Sequence, residues 1–182
     1  CGSIHSSIDA AQQLVRAHGI NASEIEKVLV KTANVVKVQC GFDYEPLSVL
    51  QAQMSLQYCI AVALLEGQVD VDQFTEEKIS DPRVLELAKR VEIVLDPEIE
   101  EAYPEKFAGK VEIVPTNGKK FEARVDYPTG SPENPMSFDD VAKKFESLAG
   151  TVMRRGRIEE IIQRVEGLEK LANIRELTQL FA

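Results

Sequence analysis

The first ten residues, CGSIHSSIDA, place one histidine among small hydroxyl residues at the predicted start of a helix. Backbone N–H groups at such a start could bind a carboxylate, since Gly2 allows close approach and Ser3 and Ser6 offer hydroxyls. The positive end of the helix dipole would keep His5 neutral and able to accept a proton near pH 7. These residues suit proton transfer beside a carboxylate. A capping or solvent-exposed histidine fits the same pattern.

The sequence lacks the common motifs for phosphate, dinucleotide, zinc or serine-hydrolase chemistry. His5 and His18 are its two histidines, which excludes a histidine-rich metal site within this chain. The dipole at a helix C-terminus explains His18. Cys1, Cys40 and Cys59 are odd in number and have no C-x-x-C spacing, so the sequence predicts neither a disulfide framework nor a zinc site.

The net charge of the chain disfavours two classes of binding partner. A net charge of -9 disfavours binding to nucleic acid or to an anionic membrane surface. The longest apolar stretch, residues 60 to 65, is too short to cross a bilayer. We expect no nucleic acid and no membrane partner, and a cytoplasmic location. Because the sequence starts at Cys1 within a predicted turn, we also expect further chain upstream.

The hydrophobic pattern predicts an α+β fold in which an antiparallel sheet is covered by helices on one face and followed by C-terminal helices. A first helix, capped by Ser3 or Ser6, should end at Gly19. Asp81 with Pro82, and Ser137 with Asp140, should start two later helices. KVLVKTANVVKV is predicted as a strand, residues 47 to 65 as one buried helix, and VEIVL as a strand. Asn117 and Gly118 predict a hairpin. We predict a lid-like domain over residues 1–149 and a helical segment over 150–182.

Four stretches, taken together and in order, resemble the C-terminal part of the MmgE/PrpD family. They are CGSIHSSIDA, AQMSLQYCIAVALLEG, ISDPRVLELAKRVEI and YPTGSPENPMSFDDVAKKFESLA. The family includes 2-methylcitrate dehydratases, cis-aconitate decarboxylases and iminodisuccinate epimerases. The resemblance covers nearly the whole chain and is specific for the family rather than for one member.

The resemblance implies a catalytic role for His5. The helix-start pattern itself predicts that Gly2, Ser3 and Ser6 bind the substrate carboxylate. The resemblance also implies a tyrosine, for which Tyr58 is the first candidate and Tyr44 the second. A match at Cys40 would mean that this sequence has lost the tyrosine, and Tyr58 also fits simple packing within a buried helix. A family lysine would fall just before Cys1.

The implied function is that of the C-terminal domain of a metal-free lyase of the 2-methylcitrate dehydratase type, without cofactor, that acts on small di- or tricarboxylates. Decarboxylation and epimerisation are alternatives to dehydration. The implied partners are a missing N-terminal helical domain, on which the last helices would pack, and a second copy in a homodimer. The fragment would be inactive alone. A non-catalytic binding or assembly module that keeps the family fold is the alternative hypothesis.

Overall fold

The structure is a computed structural model that describes residues 1–181 and divides into two compact units. The first unit is Cys1–Asn134, and the second begins at Pro135. The predicted change of character at residue 150 lies within the second unit, between its first two long helices.

The first unit contains a four-stranded sheet in the order β2-β1-β3-β4. The strands are β1 (Ile25–Thr32), β2 (Val91–Leu95), β3 (Gly109–Pro115) and β4 (Phe121–Val125). The α+β class is confirmed, but the sheet is mixed rather than purely antiparallel, because β1 and β2 run parallel. A long helical crossover separates these two strands along the chain, and it returns the chain to the end of the sheet at which β1 began.

The helices make up most of the rest of the described chain. Those of the first unit are α1 (His5–His18), α2 (Asn34–Cys40), α3 (Val49–Met54), α4 (Leu56–Glu66), α5 (Glu76–Ile79), α6 (Pro82–Ala88) and α7 (Pro97–Ala102). Those of the second unit are α8 (Phe138–Ala149), α9 (Arg155–Glu166) and α10 (Arg175–Thr178). No helix within residues 1–181 has both the length and the apolar character needed to cross a membrane.

Two stretches differ locally from the sequence prediction. The strand predicted over KVLVKTANVVKV ends at Thr32, and its second half forms α2. Val36 and Cys40 are buried on one side of α2, a spacing of four that places both on the same helix face. The single helix predicted over residues 47 to 65 is broken at Ser55, whose backbone is extended and whose hydroxyl accepts a hydrogen bond from the Tyr58 N–H.

Several end signals were predicted correctly. Gly19 ends α1 in the left-handed conformation, with φ of 58°. Asp81 caps α6 with Pro82 in its first turn. Gly118, with φ of 77°, lies in the turn between β3 and β4. Ser137 and Asp140 form a reciprocal capping box at the start of α8.

One face of the sheet packs against helices. Val28 and Val30 of β1 and Val111 and Ile113 of β3 are buried in a core that they share with α1 and α4. Their burial removes apolar surface from water, which is the main source of stability for a layered fold of this kind.

The opposite face of the sheet carries paired charges. Lys31 Nζ lies 2.9 Å from a carboxylate oxygen of Glu112 and 2.8 Å from one of Glu122. Glu112 also contacts Lys120 at 2.8 Å, and Glu122 contacts Lys110 at 3.2 Å. Opposite charges therefore alternate across neighbouring strands, an arrangement that stabilises the pairing of these strands.

The backbone of α1 approaches β3 very closely at Gly109. A Cβ added to Gly109 would lie 2.5 Å from the Ser7 nitrogen and 2.9 Å from the Ser7 Cα. Ser7 and Gly109 are both buried at this contact. Glycine is required here because any side chain would separate the helix from the sheet.

We predict that Gly109→Ala destabilises the protein by about 2–3 kcal/mol, since overpacking against a backbone is relieved only by moving α1. Urea denaturation followed by circular dichroism measures this loss. Gly2→Ala is the matched control, because a Cβ at Gly2 would contact nothing within 4 Å. Equal stability of the two variants would contradict the proposed close packing.

We predict that Glu112→Gln destabilises the protein at pH 7 but not near pH 2. Hydrogen bonds from Lys120 and Lys31 lower the pKa of Glu112 from 4.5 to about 2. Because the folded-state pKa is the lower one, this stabilisation is present above pH 4.5 and is lost as the pH falls towards 2. Lys120 is 66% exposed, so solvent screening reduces the expected loss at pH 7 to about 1–2 kcal/mol.

Urea denaturation of the wild type and of Glu112→Gln at both pH values tests this linkage. Glu26→Gln, at an exposed position of β1, is the control and should change stability little at either pH. A Glu112→Gln deficit that is the same at pH 7 and near pH 2 would show that the carboxylate charge is not responsible.

Candidate active site

The start of α1 is fixed to the sheet by a hydrogen bond as well as by packing. The Ser6 hydroxyl donates to the backbone carbonyl of Phe107 at 2.5 Å, just before β3 begins. Ser6 and Ser7 are buried, whereas His5 between Ile4 and Ser6 is exposed. The segment that carries the histidine is therefore held on a rigid support, and the imidazole remains accessible within this unit.

The predicted substrate-binding residues have different surroundings. Gly2 and Ser3 lie in a 3-10 turn, Gly2–Ile4, that precedes α1 and lines a pocket. The Ser3 hydroxyl donates to the side-chain oxygen of Gln39 at 3.4 Å. Ser6 is directed towards Phe107, and the expected capping by Ser3 or Ser6 is not observed because Ile4 occupies the cap position without a side-chain bond.

The pocket beside the turn has a volume of about 460 Å³. Its lining combines the turn, the segment before β3 and the loop after β4: Gly2, Ser3, Glu105, Phe107, Tyr127, Pro128, Ser131 and Glu133. Three segments distant in sequence thus meet at the mouth of α1. A concave surface with aromatic walls and a few polar groups is typical of small-molecule sites.

The loop after β4 is held in place by its own hydrogen bonds and by α1. Asp9 accepts a hydrogen bond from the Thr129 N–H at 2.7 Å, and the Gly130 N–H donates to the Asn134 carbonyl at 2.8 Å. The hydroxyl of Ser131 is buried and has no hydrogen-bond partner among the described residues. This buried hydroxyl lies beside the pocket rather than on its accessible surface.

Sequence reasoning did not identify Phe107, Tyr127 or Ser131 as site residues. The available signal was the stretch YPTGSPENP, which is rich in glycine and proline and contributed to the family resemblance. This stretch contacts α1 through the hydrogen bond from Thr129 to Asp9, two residues that are 120 positions apart in sequence. No local pattern can indicate a contact over that separation.

The charged residues of the described pocket lining are acidic. Glu105 and Glu133 contribute carboxylates. Lys106 lies near the Tyr127 ring, at 5.3 Å from its centroid, but is paired with Asp126 at 2.7 Å. The hydrogen bond that Lys106 donates to Asp126 raises the pKa of Lys106. The lining residues described for this pocket therefore include no cationic side chain that could bind an anion.

The two candidate tyrosines lie side by side, with ring centroids 5.0 Å apart. Tyr58 is fully buried in α4, and its hydroxyl donates to the Gln73 carbonyl. Tyr44 is half-buried, and its hydroxyl donates to the Ile79 carbonyl at 2.9 Å. Burial raises both pKa values, that of Tyr44 to about 12, so both hydroxyls keep their protons at neutral pH. A catalytic role for Tyr58 stays a prediction, while its packing role is visible.

Within residues 1–181, no three histidine, cysteine, aspartate or glutamate side chains are grouped closely enough to hold a metal ion. His18, the second histidine, is exposed at the last position of α1, and its ring lies 4.6 Å from that of Phe121. The two histidines therefore lie at opposite ends of one helix.

The known proteins that are similar to this chain include cis-aconitate decarboxylases and a 2-methylcitrate dehydratase. Cis-aconitate decarboxylase from Aspergillus terreus is 30% identical over 189 residues, which covers 99% of this chain and 38% of the relative. The Mus musculus cis-aconitate decarboxylase is 30% identical over 159 residues, or 87% of this chain and 32% of the relative. The mitochondrial 2-methylcitrate dehydratase of Yarrowia lipolytica is 35% identical over 80 residues, or 41% of this chain and 15% of the relative.

The chain spans about a third to two-fifths of the length of the decarboxylases that it matches. Residues 1–169 match the family model described as the MmgE/PrpD C-terminal domain. The match includes the turn, α1 and the whole loop after β4, all of which line or support the pocket. The chain belongs to the MmgE/PrpD family, and residues 1–169 are its C-terminal domain.

Proposed function

We propose that this chain is the C-terminal part of a lyase that acts on small di- or tricarboxylates, and that its reaction is decarboxylation of an acid like cis-aconitate. The observation that carries the proposal is the match to cis-aconitate decarboxylases over nearly the whole chain. The match to a 2-methylcitrate dehydratase covers less than half of it, so dehydration is the second candidate reaction.

His5 is the group that we assign to proton transfer. Loss of a carboxyl group as CO2 leaves an electron pair that must be stabilised and then protonated, whereas dehydration requires a proton on the departing oxygen. Both reactions need a group that moves a proton near neutral pH beside a bound carboxylate. His5 is exposed, directly follows the pocket-lining turn, and is held there through Ser6.

The remaining part of the parent protein supplies the positive charge in this proposal. A substrate with two or three carboxylates needs cations, and the pocket lining in this unit contains Glu105 and Glu133 instead. Gly2 and Ser3 would contribute N–H and hydroxyl groups on one side of the substrate. Residues 1–182 alone are accordingly proposed to lack turnover.

We also propose that the second unit docks onto the rest of the parent protein. α8 and α9 line an apolar groove of about 240 Å³ with side chains that include Phe138, Phe145 and Val165. Apolar surface of this kind is stabilised when it is covered, and the preceding helical part expected from the resemblance is the proposed cover. A homodimer of the full-length protein is a further proposal.

We predict that His5→Gln in the full-length protein lowers kcat for cis-aconitate decarboxylation by about 100-fold or more, since removal of a general acid-base group has effects of that order. His18→Gln is the matched control, because it removes the other histidine of α1, which is also exposed. His18→Gln should change kcat by less than about twofold, which is small beside the loss expected for His5→Gln.

Steady-state assays with cis-aconitate and with 2-methylcitrate test the proposal and separate its two candidate reactions. Equal losses in the His5 and His18 variants would contradict the role of His5. Absence of turnover and of binding for both acids in the wild type would instead favour the non-catalytic module.

We propose that the reaction needs no metal ion, as the family resemblance implies. Dialysis of the full-length protein against EDTA should therefore leave kcat unchanged, because proton transfer and charge stabilisation would come from side chains and backbone dipoles. A loss of activity that returns on adding Mg²⁺, Zn²⁺ or Fe²⁺ would overturn this part of the proposal.

A further inference from the structure

Two of the three cysteines are in contact at the start of the candidate active site. Cys1 directly precedes the turn that lines the pocket, and Cys40 is the last residue of α2. Their sulfur atoms are 3.7 Å apart, although the residues are 39 positions apart in sequence. Sulfur atoms at that distance are in van der Waals contact, and a disulfide requires them to approach to about 2.05 Å.

The two thiols differ in their access to solvent. Cys1 is exposed and Cys40 is buried. Burial also raises the pKa of the Cys40 thiol, so this thiol remains protonated at neutral pH. Oxidation of thiols follows exposure and thiolate character, so Cys1 is the residue that meets an oxidant first.

We propose that Cys1 and Cys40 are a redox pair that hydrogen peroxide converts into a reversible disulfide. In the first step the Cys1 sulfur attacks peroxide, the O–O bond breaks, and Cys1 becomes a sulfenic acid with release of water. In the second step the Cys40 sulfur attacks the Cys1 sulfur and the Cys1 S–O bond breaks. The Cys40 thiol proton joins the departing hydroxide, which leaves as a second water. The two thiols lose two electrons in total, and the peroxide accepts them.

The bond would join the pocket-lining turn to the end of α2. The turn already contacts α2 through the Ser3 hydroxyl, which donates to Gln39 at 3.4 Å. A covalent link beside this weak contact would restrict the motion of Gly2 and Ser3, which line the pocket. The link would be attached to the chain four residues before His5. The disulfide forms whether or not the protein is a lyase, so this inference does not depend on the proposed reaction.

Cys59 is a matched control within the same core. It is buried in α4, and its thiol donates to the Ala52 carbonyl at 3.5 Å. Burial raises its pKa to about 12. Cys59 thus shares the burial of Cys40 but has its own backbone partner.

The test is peptide mapping of the full-length protein after treatment with hydrogen peroxide, without reduction. No lysine or arginine lies between Cys40 and Cys59, so digestion must include cleavage after Glu45 to place these two cysteines on separate peptides. We expect a Cys1–Cys40 linked peptide in the wild type and in Cys59→Ala. It should be lost on treatment with dithiothreitol.

The linked peptide should be absent from Cys1→Ser, which changes an exposed residue and should not disturb folding. Three outcomes would overturn the inference. They are a linked Cys40–Cys59 peptide, a Cys1 sulfenic or sulfinic acid beside a free Cys40 thiol, and three thiols that stay reduced at peroxide concentrations that oxidise glutathione.

Discussion

The contact between the backbone of α1 and strand β3 is the constraint on which the rest of the first unit depends. At Gly109 the strand has no side chain, so Ser7 of the helix lies directly on it. The adjacent Ser6 then reaches the Phe107 carbonyl, and the turn before α1 faces the segment that contains Glu105 and Phe107. The pocket exists because the helix start and this segment are brought together at a single position.

The local features of the chain were predictable because they are encoded within a few residues. Gly19, Asp81 with Pro82, and Asn117 with Gly118 each determine a local backbone conformation, and the structure has a helix end, a helix start and a hairpin there. The parallel pairing of β1 with β2 was not predictable in this way. It depends on where a crossover of several short helices returns the chain, which no alternation within VEIVL can encode.

The candidate site was predictable only in part, for the same reason. Gly2 and Ser3 could be selected from the helix-start pattern, and His5 was selected from the same pattern and from the family resemblance. Phe107, Tyr127 and Ser131 reach the pocket through contacts across 100 or more residues, such as that of Ser6 with Phe107 over 101 positions. Strand propensity also failed at α2, where burial of Val36 and Cys40 outweighs the preference of β-branched residues for strands.

The separation between Ser6 and Phe107 has a consequence for biosynthesis. A ribosome makes the histidine-bearing segment first, and the glycine on which α1 rests leaves the exit tunnel only after about a hundred more residues. During that interval the apolar side of α1, with Ile8 and Leu14, has no strand β3 to cover it. Slow elongation would lengthen the interval in which these apolar side chains stay exposed and the nascent chain can aggregate.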